Sequence, residues 1–219
     1  MKKKQKKLND NSKVLTVDPV SPQADIMNLA AETIAKGGVV LFPTTCLYGL
    51  AADAMNEDAV RKIYSIKKRS SKNPILVLVK NHEALEKITA SVPPAAARIM
   101  KKFWPGNITI VFEAGKKVPS VITAKTGKVG ARIPAHSVAL SLTERLKNPV
   151  TGTSANISEG TGCSAVSDIS PEIISHADLI LDAGPLKGGI GSTVIDVTVA
   201  PPKILREGTA GAVDILNCL

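Results

Sequence analysis

At 219 residues, 44% apolar and 21% charged, the chain has the composition of one soluble globular domain, able to bury an aliphatic core without disulfide or metal support. Its cysteines (Cys46, Cys163 and Cys218) are widely spaced, so no zinc site or disulfide framework is indicated, and a reducing, cytoplasmic setting is expected. Net charge is +9, much of it in the MKKKQKK start; no apolar run reaches the ~18–20 residues of a membrane span and none follows that start as in a secretory signal, so no membrane partner is expected.

Residues 1–13 read as a basic, solvated, disordered tail, with a weak RNA contact as the sharper alternative. The folded domain is expected over 14–210, and 211–219 form the C-terminal end. Ile26, Leu29, Ala30 and Ile34 recur at helical spacing across 23–36, and Gly37–Gly38 stop that helix. VVLFP (39–43) reads as a buried strand, followed by a loop over LYGLAAD (47–53). Asn56 is placed to cap a helix whose inner face carries Ala59, Val60, Ile63 and Ile66. ILVLV (75–79) is a second buried strand.

Short helices follow near 82–90 and 94–103, then strands at 108–113, 129–134 and 150–154, with a helix over 137–147 between the last two. Strands at 179–184, 192–198 and 203–207 are joined by short connections that favour antiparallel pairing. The fold class is therefore α/β, a single-domain twisted mixed sheet flanked by helices.

Polar residues gather at the strand ends, where ligands bind in open α/β sheets. Thr44 and Thr45 follow the first strand and are suited to a small polar substrate or to a plain turn. Lys67, Arg69 and Asn73 lie in KKRSSKNP (67–74); two cations in one loop neutralise phosphates, or else complement a helix C-terminus. Trp104 anchors a Pro-Gly turn. Arg132 interrupts an apolar strand and needs an anionic partner, either a ligand or an internal carboxylate. His136 is a turn residue. Ser154 and Asn156 in TGTSANISEG could donate to a nucleotide. Glycine-rich GGIGS before Ser192 lets a ligand approach the main chain, and Arg206 ends the last strand. Neither a phosphate-binding loop of the Gly-x-x-x-x-Gly-Lys type nor a nucleophile triad, metal cluster or carboxylate pair is present. Such a set suits chemistry by positioning and charge stabilisation, as in nucleotidyl or phosphoryl transfer.

In order, GGVVLFPTTCLYGLAAD, KKRSSKNPILVLV, WPGNITIVF, VGARIPAH, VTGTSANISEG, GSTVIDVT and ILREG resemble the YrdC/TsaC family of threonylcarbamoyl-AMP synthases, across about residues 14–210. The resemblance implies a YrdC-like fold with a concave basic cavity. It also implies synthesis of L-threonylcarbamoyl-AMP and pyrophosphate from ATP with Mg2+, L-threonine and bicarbonate or CO2. A tRNA-modifying threonylcarbamoyl transferase machinery would be the partner.

By resemblance the catalytic tetrad falls on Lys67, Arg69, Ser154 and Asn156. ATP binding falls on Arg69, Asn73, Ser154 and Arg206, and threonine binding on Thr44, Cys46, Arg132 and Ser192, with no protein metal site. Three positions depart from the family pattern: Cys46 replaces a threonine, Leu78 a histidine of longer members, and Gly162 a serine, with Ser164 nearby. The chain stops at Leu219, so the additional C-terminal domain of longer members is not expected. A non-catalytic RNA-binding module and a divergent paralogue of the same fold are the alternatives.

Overall fold

A computed structural model describes residues 13–219. The expected tail lies outside them except for Lys13, which opens the first strand, β1 (Lys13–Thr16). After it come α1 (Ala24–Ala35), β2 (Val40–Pro43), β3 (Tyr48–Ala51) and α2 (Glu57–Lys67). Then follow β4 (Val77–Leu78), α3 (His82–Glu86), α4 (Pro94–Phe103), β5 (Ile108–Glu113) and α5 (Ser120–Thr123). Next are β6 (Lys128–Arg132), α6 (Ser137–Glu144), β7 (Val150–Thr151) and β8 (Thr153–Ser154). The last are α7 (Pro171–His176), β9 (Leu179–Asp182), β10 (Thr193–Asp196), β11 (Lys203–Arg206) and α8 (Ala212–Leu216).

The fold is α/β and mixed, as expected, with its strands distributed over two sheets. One runs β1-β9-β2-β3-β8, the other β11-β10-β5-β6-β4-β7. Strand alternation decides what each face does. Leu41, Tyr48, Leu50 and Ile180 of the first sheet enter the main core with Ile108, Ile110, Phe112, Val129, Ala131 and Ile195 of the second. The intervening Val40, Phe42, Ala51, Leu179 and Leu181 face the opposite way, onto α1 and α6 through Met27, Ala30, Ile34, Val138 and Leu142.

Two helix ends follow from local sequence. Gly37 adopts φ +81°, and the Gly37 and Gly38 N–H groups donate back to Ile34 and Thr33, closing α1 as its glycines predict. Asn56 Oδ1 accepts the N–H groups of Asp58 and Ala59 and so caps α2.

Three expectations are corrected. LYGLAAD is not a loop: Tyr48–Ala51 forms a hairpin with β2, turned at Thr44–Leu47, where the Thr44 N–H donates to the Leu47 carbonyl at 3.1 Å. Residues 150–154 are two strands in different sheets. At the crossing, Gly152 lies so close to Leu76 and Leu78 that a Cβ would fall 2.7–2.8 Å from their side chains. Only β10 and β11 of the last three strands pair antiparallel; β9 joins the first sheet parallel to β1 and β2, and β10 lies parallel to β5. Short connections failed as a guide because 185–192 crosses between sheets instead of turning back on one.

Candidate functional site

A cavity of about 500 Å³ uses the other face of the second sheet as its floor. Period-two alternation puts Thr109 and Val111 of β5, Lys128, Gly130 and Arg132 of β6, and Ser192, Val194 and Asp196 at β10 into its lining. The first sheet supplies one wall through the Thr44–Gly49 hairpin and Thr153–Ser154. Gly130 keeps the floor low: a Cβ there would lie 3.3 Å from Thr109 Cγ2.

Three arginines in this lining bond only to neutral groups. Arg69 Nε donates to the Asn73 carbonyl at 3.0 Å and Nη2 to that of Pro74 at 2.8 Å. Arg206 Nε and Nη2 donate to the Ser192 carbonyl at 3.2 and 2.7 Å, and Nη2 also to Ser192 Oγ at 3.2 Å. Arg132 is 8% exposed; Nη1 reaches Asn107 Oδ1 at 3.4 Å, and its buried Nε has no hydrogen-bond partner among the described residues. None of the three has an ion pair among the described residues. Burial, followed by repulsion from Arg206, lowers Arg132 to about 10, with Cys46 opposing. Burial, then Arg69, lowers Arg206. Carbonyl dipoles orient these guanidinium groups but leave their charge uncompensated among the described residues, an arrangement that an anion would satisfy.

Lys128 and Asp196 form a 3.0 Å ion pair at the far end of the same floor. Burial pushes the Asp196 carboxyl up, but hydrogen bonds from Thr198 and Lys128 together hold it below the usual carboxylate range. Sequence reasoning missed Thr109, Lys128, Gly130 and Asp196. The available signal was polar residues at alternate positions of strands whose other positions are apolar.

Lys67, by contrast, does not face the cavity. Only 1% exposed, it donates through Nζ to the carbonyls of Ser154 and, at 2.6 Å, of Asn156. Ser154 Oγ donates to Asn156 Oδ1, and Asn156 Nδ2 donates to the carbonyls of Ile157 and Gly160, both at 2.7 Å. Lys67, Ser154 and Asn156 are thus one unit that shapes the loop after β8, and of the three only Ser154 lines the cavity. Asn73 is exposed; its carbonyl accepts from Arg69 and, at 3.0 Å, from Tyr64 Oη.

Thr44, Cys46 and Ser192 do line it. Thr44 Oγ1 donates to the Leu47 carbonyl at 2.6 Å, and Ser192 Oγ lies 2.9 Å from Thr109 Oγ1. Gly162 also lines the cavity, and a Cβ there would meet Leu47 Cδ1 at 2.5 Å, so a larger residue would require the Leu47 side chain to move. Leu78 is core, buried in the cluster beneath α6. His136 Nδ1 caps α6 by accepting the Val138 N–H at 3.3 Å, and Trp104 Nε1 donates to the Ile108 carbonyl, both structural roles.

A family model for Sua5, YciO and YrdC proteins, described as telomere recombination, matches residues 32–208. A threonylcarbamoyl-AMP synthase of Pyrococcus abyssi is 37% identical over 182 residues, covering 83% of this chain and 54% of that protein. One from Bacillus subtilis is 36% identical over 180 residues, covering 82% and 52%. The chain thus spans about half the length of these curated relatives. The crystal structure of P. abyssi Sua5 complexed with L-threonine superposes with a TM-score of 0.90 at 34% identity, covering 94% of this chain and 60% of that one.

Proposed function

The chain belongs to the Sua5/YciO/YrdC family, and on that premise we propose that its cavity makes L-threonylcarbamoyl-AMP and pyrophosphate from ATP, L-threonine and bicarbonate, as a nucleotidyltransferase. The observation that carries this is the convergence of Arg69, Arg132 and Arg206 on one hollow with no carboxylate partner. An amino-acid carboxylate and a triphosphate together supply the missing anions.

In this reading Arg132 binds the threonine carboxylate through a guanidinium fork, with Ser192 and the Thr44–Cys46 turn around the rest of the amino acid. Arg69 and Arg206 face the phosphates. Ser154 lines the wall beside them, its hydroxyl proton held by Asn156 Oδ1, while Lys67, Asn156 and Asn73 hold the two loops in place. The threonine amine and bicarbonate give a carbamate and water. A carbamate oxygen then attacks the α-phosphorus, and the bond to the bridging oxygen breaks, releasing pyrophosphate. Positioning and fixed positive charge supply the catalysis, and no protein nucleophile is needed.

Magnesium enters as part of the nucleotide substrate, held by phosphate oxygens and water. That fits a lining whose one acidic residue, Asp196, is already paired with Lys128. Residues 14–210 would form the catalytic unit, working in the cytoplasm and handing the adenylate to a threonylcarbamoyl transferase machinery acting on tRNA. No helix among the described residues is long and apolar enough to cross a membrane.

The test is pyrophosphate release from ATP and bicarbonate, with and without L-threonine. Release that depends on threonine is expected. Threonine-independent release, or salt-sensitive RNA binding with no release, would overturn the assignment.

A further inference from the structure

Two of the three thiols are tied to main-chain carbonyls: Cys163 Sγ donates to Asp168 at 3.4 Å and Cys218 Sγ to Asp214 at 3.1 Å. Cys46 has no such bond among the described residues. Its backbone is fixed, since its carbonyl accepts the Gly188 N–H at 3.0 Å, and its side chain enters the cavity lining at 9% exposure. Arg132 provides an independent observation: a buried cation in the same lining, its Nε without a partner, which calls for an anion. A thiol and a guanidinium with no ion pair among the described residues, both in one cavity lining, form a site for a reagent that carries both a disulfide and carboxylates.

We propose that Cys46 is a modification site for anionic low-molecular-weight disulfides of the glutathione type, and that its mixed disulfide closes the cavity to substrate. The Cys46 thiol gives its proton to water, and the thiolate attacks one sulfur of the reagent. A bond forms to Sγ as the reagent's own S–S bond breaks, and the departing thiolate takes up a proton. The reagent is the oxidant, reduced to one free thiol, and its carboxylates lie against Arg132 and Arg206. Oxidation would thereby switch the enzyme off reversibly. The closure rests on this cavity being the substrate site proposed above; the adduct does not.

The experiment exposes the full chain to oxidised glutathione and, in parallel, to neutral 2-hydroxyethyl disulfide, and follows intact mass and peptide maps. One adduct is expected, on Cys46, forming about 10-fold faster or more with the anionic reagent. Inorganic pyrophosphate should slow it and dithiothreitol should reverse it. Cys46→Ser should not react, whereas Cys163→Ser and Cys218→Ser should. An adduct on Cys163 or Cys218, equal rates for the two disulfides in the unmodified chain, or no protection by pyrophosphate overturns the site. A Cys46 adduct that leaves threonine-dependent pyrophosphate release unchanged overturns the closure. A chain with no such release before treatment sinks the functional assignment and its closure, while the mass data still decide the site.

Discussion

Lys67 Nζ stands 2.6 Å from the main-chain oxygen of Asn156, 89 residues further along the chain, and so fastens the end of α2 to the loop after β8. Removing it by Lys67→Met leaves buried carbonyls without a donor, and a loss of about 2–4 kcal/mol is expected in chemical unfolding. Burial, then repulsion from Arg69, brings this ammonium from 10.5 to about 8. Between those values the unfolded chain holds more protons than the folded one, so the Lys67 contribution to stability rises with pH. The stability difference between wild type and Lys67→Met should therefore grow between pH 8 and 10.5. A flat difference would remove the buried ammonium from the account.

Arg132 should oppose stability while serving binding. Arg132→Met removes a buried charge and its orphaned Nε from a site with room for an apolar chain. An increase of about 1–2 kcal/mol in stability is expected, together with loss of threonine binding by calorimetry. A lowered Tm would mean that the guanidinium is structurally satisfied.

The floor of the cavity can be raised without touching a charge. Gly130→Leu projects a side chain between Thr109 and Leu76, whose nearest atoms lie 3.3 and 3.6 Å from the new Cβ. The KM for ATP should rise about 10-fold or more while the Tm moves by only a few degrees. An unchanged KM would place the nucleotide elsewhere.

The turn after α2 carries a lysine where glycine is favoured. Lys68 has φ 49°, and the Arg69 N–H donates back to Tyr64 in the closing pattern glycine usually completes. Lys68→Gly should stabilise the fold by about 0.5–1 kcal/mol with unaltered turnover. The lost ion pair to Glu172 is 62% and 43% exposed and contributes little. A destabilised variant would mean that contact outweighs the backbone term.

Elements with their own punctuation were legible in the sequence. Gly37–Gly38 and Asn56 mark helix ends through local hydrogen bonds, and the apolar strands stand out through burial. What failed depends on distant partners. Tyr48–Ala51 looks like a loop because Gly49 interrupts its short apolar run. In the fold, Gly49 makes room for Phe42, and the single Tyr48 Oη proton lies within reach of the Gly184 carbonyl at 2.7 Å and Asp182 Oδ1 at 3.1 Å. Arg132, interrupting an apolar strand, was readable as a cation in need of an anion, but not whether a ligand or an internal carboxylate supplies it. That Lys67 faces carbonyls while Arg69 faces the hollow was not, because a two-residue spacing across a helix end does not fix direction.

Gly152 has a mechanical consequence. One residue separates pairing in the six-stranded sheet from pairing in the five-stranded one, and it lies pressed against Leu76 and Leu78. The walls of the hollow therefore share a rivet. They cannot gape apart like a hinged shell without tearing Val150–Thr151 or Thr153–Ser154 from its neighbour. Access for large solutes would then depend on motion of rim loops, and slow amide exchange at Thr151 and Thr153, with or without a bound nucleotide, would be its signature.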